Sequence, residues 1–173
     1  WRPGPDGILQ KDGQPFRFTY MVDKGNAVRE QIATIIQQYW KRIGADVTLR
    51  VEEWSVYYKI GNITRDYMAR NAWRISPPDP DIGSQYATGG TENHYQYSNP
   101  EVDRLLQEAR ALSDPAKRKP LYFKAQELIA EDAPVIYLYY PFEIRAINKR
   151  LQGFPGIPYR DALTYLHQVW LPR

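Results

Sequence analysis

Residues 16–51, FRFTYMVDKGNAVREQIATIIQQYWKRIGADVTLRV, decide the fold class. Phe16, Phe18, Tyr20 and Val22 alternate with Arg17, Thr19 and Met21, the period of a strand with one buried face. From Asn26 the period lengthens. Val28, Ile32, Ile35, Ile36, Tyr39, Trp40 and Ile43 recur at i, i+4, i+7, i+8, i+11, i+12 and i+15, which predicts a helix with one apolar stripe. Gly44 stands where a glycine ends a helix, and Val47, Leu49 and Val51 alternate again. Strand, helix, short turn and strand make a βαβ unit.

Working outward, residues 1–15 are rich in Gly, Pro and Asp and read as turns. Residues 55–61 read as a short helix and Tyr67–Trp73 as a third strand. Asp79-Pro80-Asp81 has the cap-then-proline pattern of a helix start, running into Tyr86. Thr88–Asn99 is a polar, aromatic loop, long enough that function or disorder is the usual explanation. Two capped helices follow. Ser98 or Asn99 opens the first, with Val102, Leu105, Leu106 and Ala109 inward; Asp114-Pro115 opens the second, with Leu121, Tyr122, Ala125, Leu128 and Ile129 inward. Pro120 lies inside that second pattern and predicts a kink or a late start. Pro134–Tyr140 is nearly all apolar, as in a strand buried on both faces, with Phe142–Ile147 beside it. The expected fold is α/β, a mixed sheet with helices on both faces. The last residues, 154–173, carry Tyr165, Leu166, Val169, Trp170 and Leu171 among three prolines. Such a tail must pack back on this domain or on something outside it, the first hint that the chain is a piece of a larger protein.

Composition narrows the function. The 173 residues carry 23 Lys+Arg against 20 Asp+Glu, a net charge of +3 with no basic run, so a phosphate-tracking nucleic-acid binder is not expected. No apolar stretch is long enough to span a bilayer. The absence of cysteine removes disulfides, thiolate metal sites and a cysteine nucleophile. Aromatic residues make up 14%, with 5 Trp and 14 Tyr, a composition that suits ligand walls and interfaces as well as a tyrosine-rich core.

No catalytic constellation assembles. His94 lies in the polar loop near Glu92 and has the chemistry of a base or ligand, but a lone loop histidine is more often simply exposed. His167, in the apolar tail, reads as packing. Asp79 and Asp81 suit acid–base work, yet capping explains both at lower cost. Metal binding by Asp79, Asp81, Glu92 and His94 matches no ligand spacing. The expectation is a binder with no catalytic residue, metal or cofactor; a hydrolase using His94 and a non-transport interaction module are the alternatives.

Several strings then become specific. They are Asp6-Gly7-Ile8, Ile35-Ile36-Gln37-Gln38 ending in Arg42-Ile43-Gly44, and Trp54; Arg65-Asp66-Tyr67, and Trp73 followed by Asp79-Pro80-Asp81; Tyr97-Ser98-Asn99-Pro100-Glu101-Val102-Asp103 with Leu105-Leu106; and Lys117-Arg118, Leu121-Tyr122, Ala125-Gln126 and Pro134-x-Ile136. In this order the chain resembles the C-terminal lobe of the family 5 extracellular solute-binding proteins of ABC importers, the peptide, nickel and oligosaccharide class. The resemblance implies lobe II of a type II periplasmic-binding-protein fold over residues 1–153, with 154–173 crossing back to an N-terminal lobe. It implies capture of an extracytoplasmic oligopeptide, oligosaccharide or similar solute and its delivery to an ABC permease. The place would be periplasmic or extracellular, with or without a lipid anchor.

In peptide-binding relatives, an Asp three residues after the Trp holds the peptide ammonium; here that position is Ser76, whose neutral hydroxyl is no substitute. Arg70 matches a position where some relatives turn an Arg toward a ligand carboxylate, though on a strand it equally suits a surface charge. The candidate wall is Trp54, Tyr57, Arg70, Trp73, Ser76, Tyr86, Asn93 and Tyr95, with Trp73 foremost.

Overall fold

A computed structural model of the protein describes residues 1–74, 79–140, 144, 146–154 and 167–172. The chain forms two compact units, Trp1–Ile136 and Tyr137–Arg173.

Residues 1–15 are more than turns. They form an antiparallel meander of β1 (Arg2–Pro3), β2 (Leu9–Lys11) and β3 (Gln14–Pro15). Asp12 and Gly13 both have positive φ between the paired residues Lys11 and Gln14, the backbone twist that closes a two-residue hairpin. The turn chemistry was legible; strands this short leave no alternation to read.

The expected βαβ unit is present. β4 (Arg17–Asp23) pairs in parallel with β5 (Asp46–Glu52), from Arg17↔Asp46 to Asp23↔Glu52, and α1 (Ala27–Arg42) crosses between them. The Asn26 side chain caps α1 by accepting from Arg29 N–H. At its end Gly44 adopts φ 85°, its N–H donating to Lys41 O and that of Ala45 to Trp40 O. These two hydrogen bonds satisfy the Lys41 and Trp40 carbonyls and need a left-handed residue at position 44.

The expected apolar stripe of α1 is covered only in part. Ala33, Ile36 and Trp40 face the sheet, where Trp40 meets the Phe18 and Tyr20 rings edge-on at 5.0 and 5.1 Å, while Val28, Ile35, Tyr39 and Ile43 are exposed. The stripe is broad, and the strands cover only its edge of Ile36 and Trp40 with Ala33 beside them. β4 is likewise buried on more than one face, since Met21 and Asp23 are as enclosed as Tyr20 and Val22. The cover on that second side comes from α2 (Trp54–Tyr58), which packs on β4 and continues as a π-helical turn over Lys59–Thr64.

The third strand, β6 (Ala69–Arg70), is shorter than expected. It pairs in parallel with Tyr20 and Met21, giving the order β5-β4-β6. Asn71 N–H still donates to Met21 O, and Ala72, Trp73 and Arg74 then run on outside any strand.

A second core is helical. α3 (Gly83–Tyr86), α4 (Pro100–Ala111) and α5 (Pro115–Asp132) enclose Tyr86, Val102, Leu105, Leu106, Ala109, Tyr122, Ala125 and Ile129. Asn99 and Asp114 cap α4 and α5 through their side chains. α5 begins at Pro115 and runs through Pro120, so the expected late start does not occur; the N–H that proline lacks would have paired with the carbonyl of exposed Ala116, which water can satisfy.

Asp79-Pro80-Asp81 does not open the next helix directly. α3 starts only at Gly83, and the two aspartates make successive local turns, Asp79 Oδ1 accepting from Asp81 N–H and Asp81 Oδ1 from Gly83 N–H. Pro134–Tyr140 is not a strand, and Ile136–Tyr140 are exposed. An apolar run becomes a buried strand only where a neighbour offers a ladder, and none of the described strands pairs with it. Of Phe142–Ile147, residues 142, 143 and 145 lie outside the described residues. In the second unit Gln152 and Trp170 exchange both backbone hydrogen bonds, at 2.9 and 3.1 Å.

Candidate ligand-binding face

The carboxyl ends of the parallel strands collect the candidate residues. β4 ends at Asp23, β5 leads into α2 with Trp54 at its first position, and β6 delivers Arg70, Asn71 and Trp73. In open α/β sheets this edge is where ligands are received.

Tyr57 is the centre of the face. It is 3% exposed, and its hydroxyl donates to Asn71 O, tying α2 to the residue after β6. Trp54, more than half exposed, stacks on it at 5.8 Å with 22° between the planes. Arg70 also lies against this layer, its Cζ 5.7 Å from the Tyr57 ring centre and 5.0 Å from that of Tyr67. The Arg70 Nη2 donates to Asn62 Oδ1 at 3.0 Å. Arg70 is therefore no loose surface charge; aromatic faces and an amide hold it. Trp73, 45% exposed, follows three residues on.

Beneath the layer lies a buried polar group. Asp23 Oδ2 accepts from Arg29 Nη1 at 2.7 Å, with both side chains largely enclosed. Burial, before any other cause, pushes the Tyr57 hydroxyl up and that of Tyr20 up to about 12, so both stay neutral donors at physiological pH.

Tyr86, Asn93 and Tyr95 are placed elsewhere. Tyr86 belongs to the helical core, with Tyr95 against it at 5.5 Å between ring centres. Asn93 is 2% exposed, and its side chain is spent inside its own loop: Nδ2 donates to Ala87 O and Tyr97 O, and Oδ1 accepts from Tyr97 N–H. The loop is further closed by the Tyr97 hydroxyl donating to Asp132 Oδ2 at 2.6 Å. Ser76 lies outside the described residues.

His94 contributes its backbone to the face, its carbonyl accepting from the Tyr67 hydroxyl at 2.9 Å. Burial first, and then the cations Arg74, Arg70 and Arg65, push its imidazole down to about 4, so the ring is neutral at physiological pH. Asp79 is gripped by Arg118 and Asp81 by Arg110, each through two guanidinium hydrogen bonds, and these arginines hold both carboxyls below the usual range. Among the described residues no group of three acidic or histidine side chains is placed to hold a metal. A shallow depression lined by Ser55, Val56, Lys59, Ile60 and Thr64 includes none of the wall candidates.

Sequence reasoning missed Tyr67 and Asn62 as members of this face. The motif Arg65-Asp66-Tyr67 was visible, but only the fold brings Tyr67 against Arg70.

The face can now be set beside known proteins. The oligopeptide-binding protein AppA of Bacillus subtilis is 37% identical over 97% of this chain and 32% of its own length. The solved structure of that protein, in complex with a nonapeptide, matches all of this chain and 35% of the solved chain with a TM-score of 0.86 at 34% identity. A probable deoxycholate-binding periplasmic protein of Escherichia coli, YgiS, is 30% identical over 82% of this chain and 26% of its own length. The chain thus spans about a quarter to a third of the length of these relatives. It has the α/β fold of part of a periplasmic binding protein. The family profile "Bacterial extracellular solute-binding proteins, family 5 Middle" matches residues 1–95, and the chain belongs to this family of binding proteins.

Proposed function

We propose that the chain is the ligand-binding lobe of the substrate-binding component of an ABC importer, which captures an oligopeptide or similar solute outside the cytoplasmic membrane. The observation that carries this reading is the face of Trp54, Tyr57 and Arg70 at the carboxyl end of the parallel sheet. It offers stacking area and one held cation, the elements that enclose and orient a peptide. The names of the similar proteins support a peptide solute. Residues 1–153 form the lobe in this reading, and 154–173 cross to a second lobe outside this chain. Closure of the two lobes on the solute shifts an open–closed equilibrium through the solute's higher affinity for the closed form, and the closed form docks on the permease. In this reading Trp54, Tyr57, Arg70 and Trp73 contribute to this lobe's wall, while Tyr86, Asn93 and Tyr95 pack or bond within the 88–99 loop and the helical core. With Ser76 in place of an acidic residue, the solute's ammonium is not anchored there, and orientation falls to Arg70. No catalytic step is assigned: among the described residues of the face no nucleophile is paired with a base.

The test is titration of the full-length protein with a nonapeptide, followed by calorimetry and intrinsic fluorescence, with deoxycholate as the competing solute. Peptide binding is expected, and Trp73→Ala weakens it at least about tenfold, as loss of a tryptophan anchor does. Unchanged affinity in that variant overturns the wall assignment. Binding of deoxycholate with no peptide binding overturns the peptide reading.

A further inference from the structure

The 88–99 loop holds both flanks of β6 through its backbone. On the near flank the Tyr67 hydroxyl donates to His94 O at 2.9 Å. On the far flank Arg74 Nη2 donates to Glu92 O, also at 2.9 Å. The two donors thus bracket β6 and Trp73, and both meet the same short stretch of loop. That stretch is a fixed post. Glu92 N–H donates to Ser84 O at 2.8 Å and Asn93 N–H to Gly90 O at 3.0 Å, while the buried Asn93 side chain closes the loop from within. Gly90 presses on α3: a Cβ there would fall 2.5 Å from Ser84 O and 2.8 Å from Gly83 O, backbone atoms that cannot swing aside. The loop is therefore built onto the helical core, whereas β6 belongs to the sheet.

The chain that carries Trp73 needs such a post. β6 pairs with β4 over Ala69–Arg70, and the ladder continues through Asn71 N–H to Met21 O. None of the described strands pairs with residues 72–74. Trp73 stands two residues past the last of these bonds, and Arg74, directly after it, ties the chain down again. Nη1 of the same guanidinium lies 3.8 Å from Glu92 Oε2 with both groups partly exposed, a screened ion pair that adds little. The bond from a charged donor to a held carbonyl is the stronger link.

We infer that Arg74 is a positioning residue of the solute face: bound to the Glu92 carbonyl, it sets the backbone from which Trp73 meets the solute. The inference rests on the reading of the chain as a solute-binding lobe with Trp73 in its wall. An indole set in place before the solute arrives loses little freedom on binding, so its contact area counts nearly in full. Without the tie, part of the binding free energy goes into ordering the chain around it.

The test uses the full-length protein and an alternating Ala–Ser nonapeptide, as free acid and as C-terminal amide. Affinities come from calorimetry, and fluorotryptophan labelling reports on Trp73, its resonance assigned through Trp73→Phe. Arg74→Met keeps the apolar stem and removes the donors. It is expected to move the Trp73 fluorine signal and to weaken acid and amide alike, by about three- to tenfold. Arg74→Lys, which can reach a single carbonyl, restores most of both. In a Trp73→Ala background Arg74→Met causes no further loss, which separates action through Trp73 from general damage. An unmoved fluorine signal in Arg74→Met overturns the inference. So does a loss confined to the free acid, which makes Arg74 a charge partner of the solute, and so does a loss that persists undiminished beside Trp73→Ala. Full affinity in Arg74→Met beside a weakened Trp73→Ala overturns it and leaves the wall standing. Unchanged affinity in Trp73→Ala overturns the wall and this inference with it. If neither peptide binds, the peptide reading alone fails, and the tie is decided by the fluorine signal: movement in Arg74→Met with return in Arg74→Lys supports it, and no movement overturns it.

Discussion

Replacing Asn93 by alanine separates a wall residue from a loop staple. The side chain makes three hydrogen bonds in a site 2% exposed: 3.0 Å to Ala87 O, 2.6 Å to Tyr97 O and 2.9 Å from Tyr97 N–H. Each is worth about 1 kcal/mol net. Ala87 O keeps a partner after the change, because Gly90 N–H also donates to it at 2.9 Å. Both groups of Tyr97 lose theirs. The expected cost is about 2–3 kcal/mol, carried mainly by the two orphaned groups. Asn93→Asp keeps the acceptor, loses both donors and turns a carboxylate toward two carbonyls, so it is at least as damaging. Urea unfolding of the full-length protein gives the stability loss, and amide exchange at Tyr97 N–H locates it in the loop. Peptide affinity of the folded fraction stays within a few-fold of the original, because the side chain faces its own backbone. A stability loss below about 0.5 kcal/mol, with affinity falling by tenfold or more, refutes the staple and returns Asn93 to the wall.

Two further outcomes follow from the polar groups. His94 has a folded-state pKa pushed down to about 4 against an ordinary 6.5, so the unfolded chain takes up a proton first as pH falls. Stability is then fully present above about pH 6.5 and declines as pH drops toward 4, and melting temperatures of His94→Gln lack this decline. Asp23→Ala leaves the largely enclosed Arg29 guanidinium without its 2.7 Å partner and costs about 3–5 kcal/mol in urea unfolding, whereas Asp23→Leu with Arg29→Met recovers most of it. Equal losses in the single and double variants contradict that account.

The βαβ unit, the capped α4 and α5 and their inward faces were legible because each rests on neighbours within a few residues. Asn26, Gly44, Asn99 and Asp114 act on backbone groups two or three positions away, and such chemistry is written locally. The face of α1 was legible only in part. Its apolar stripe is broad, and which edge of it is covered, that of Ile36 and Trp40, depends on strands distant in sequence. Pro134–Tyr140 shows the same limit from the other side: an apolar composition fixes a preference for burial, but pairing requires a ladder elsewhere.

The candidate site divides along the same line. Sequence alone determined the α/β class and the aromatic surplus, and family strings pointed to a binding protein and to Trp73 and Arg70. Tertiary structure decided what each aromatic does. It stacked Trp54 on Tyr57, laid Arg70 between Tyr57 and Tyr67, and spent Asn93 inside its loop. The physical reason is that a side chain's role follows from which atoms fill the space around it, and those atoms come from strands and helices the linear order keeps apart.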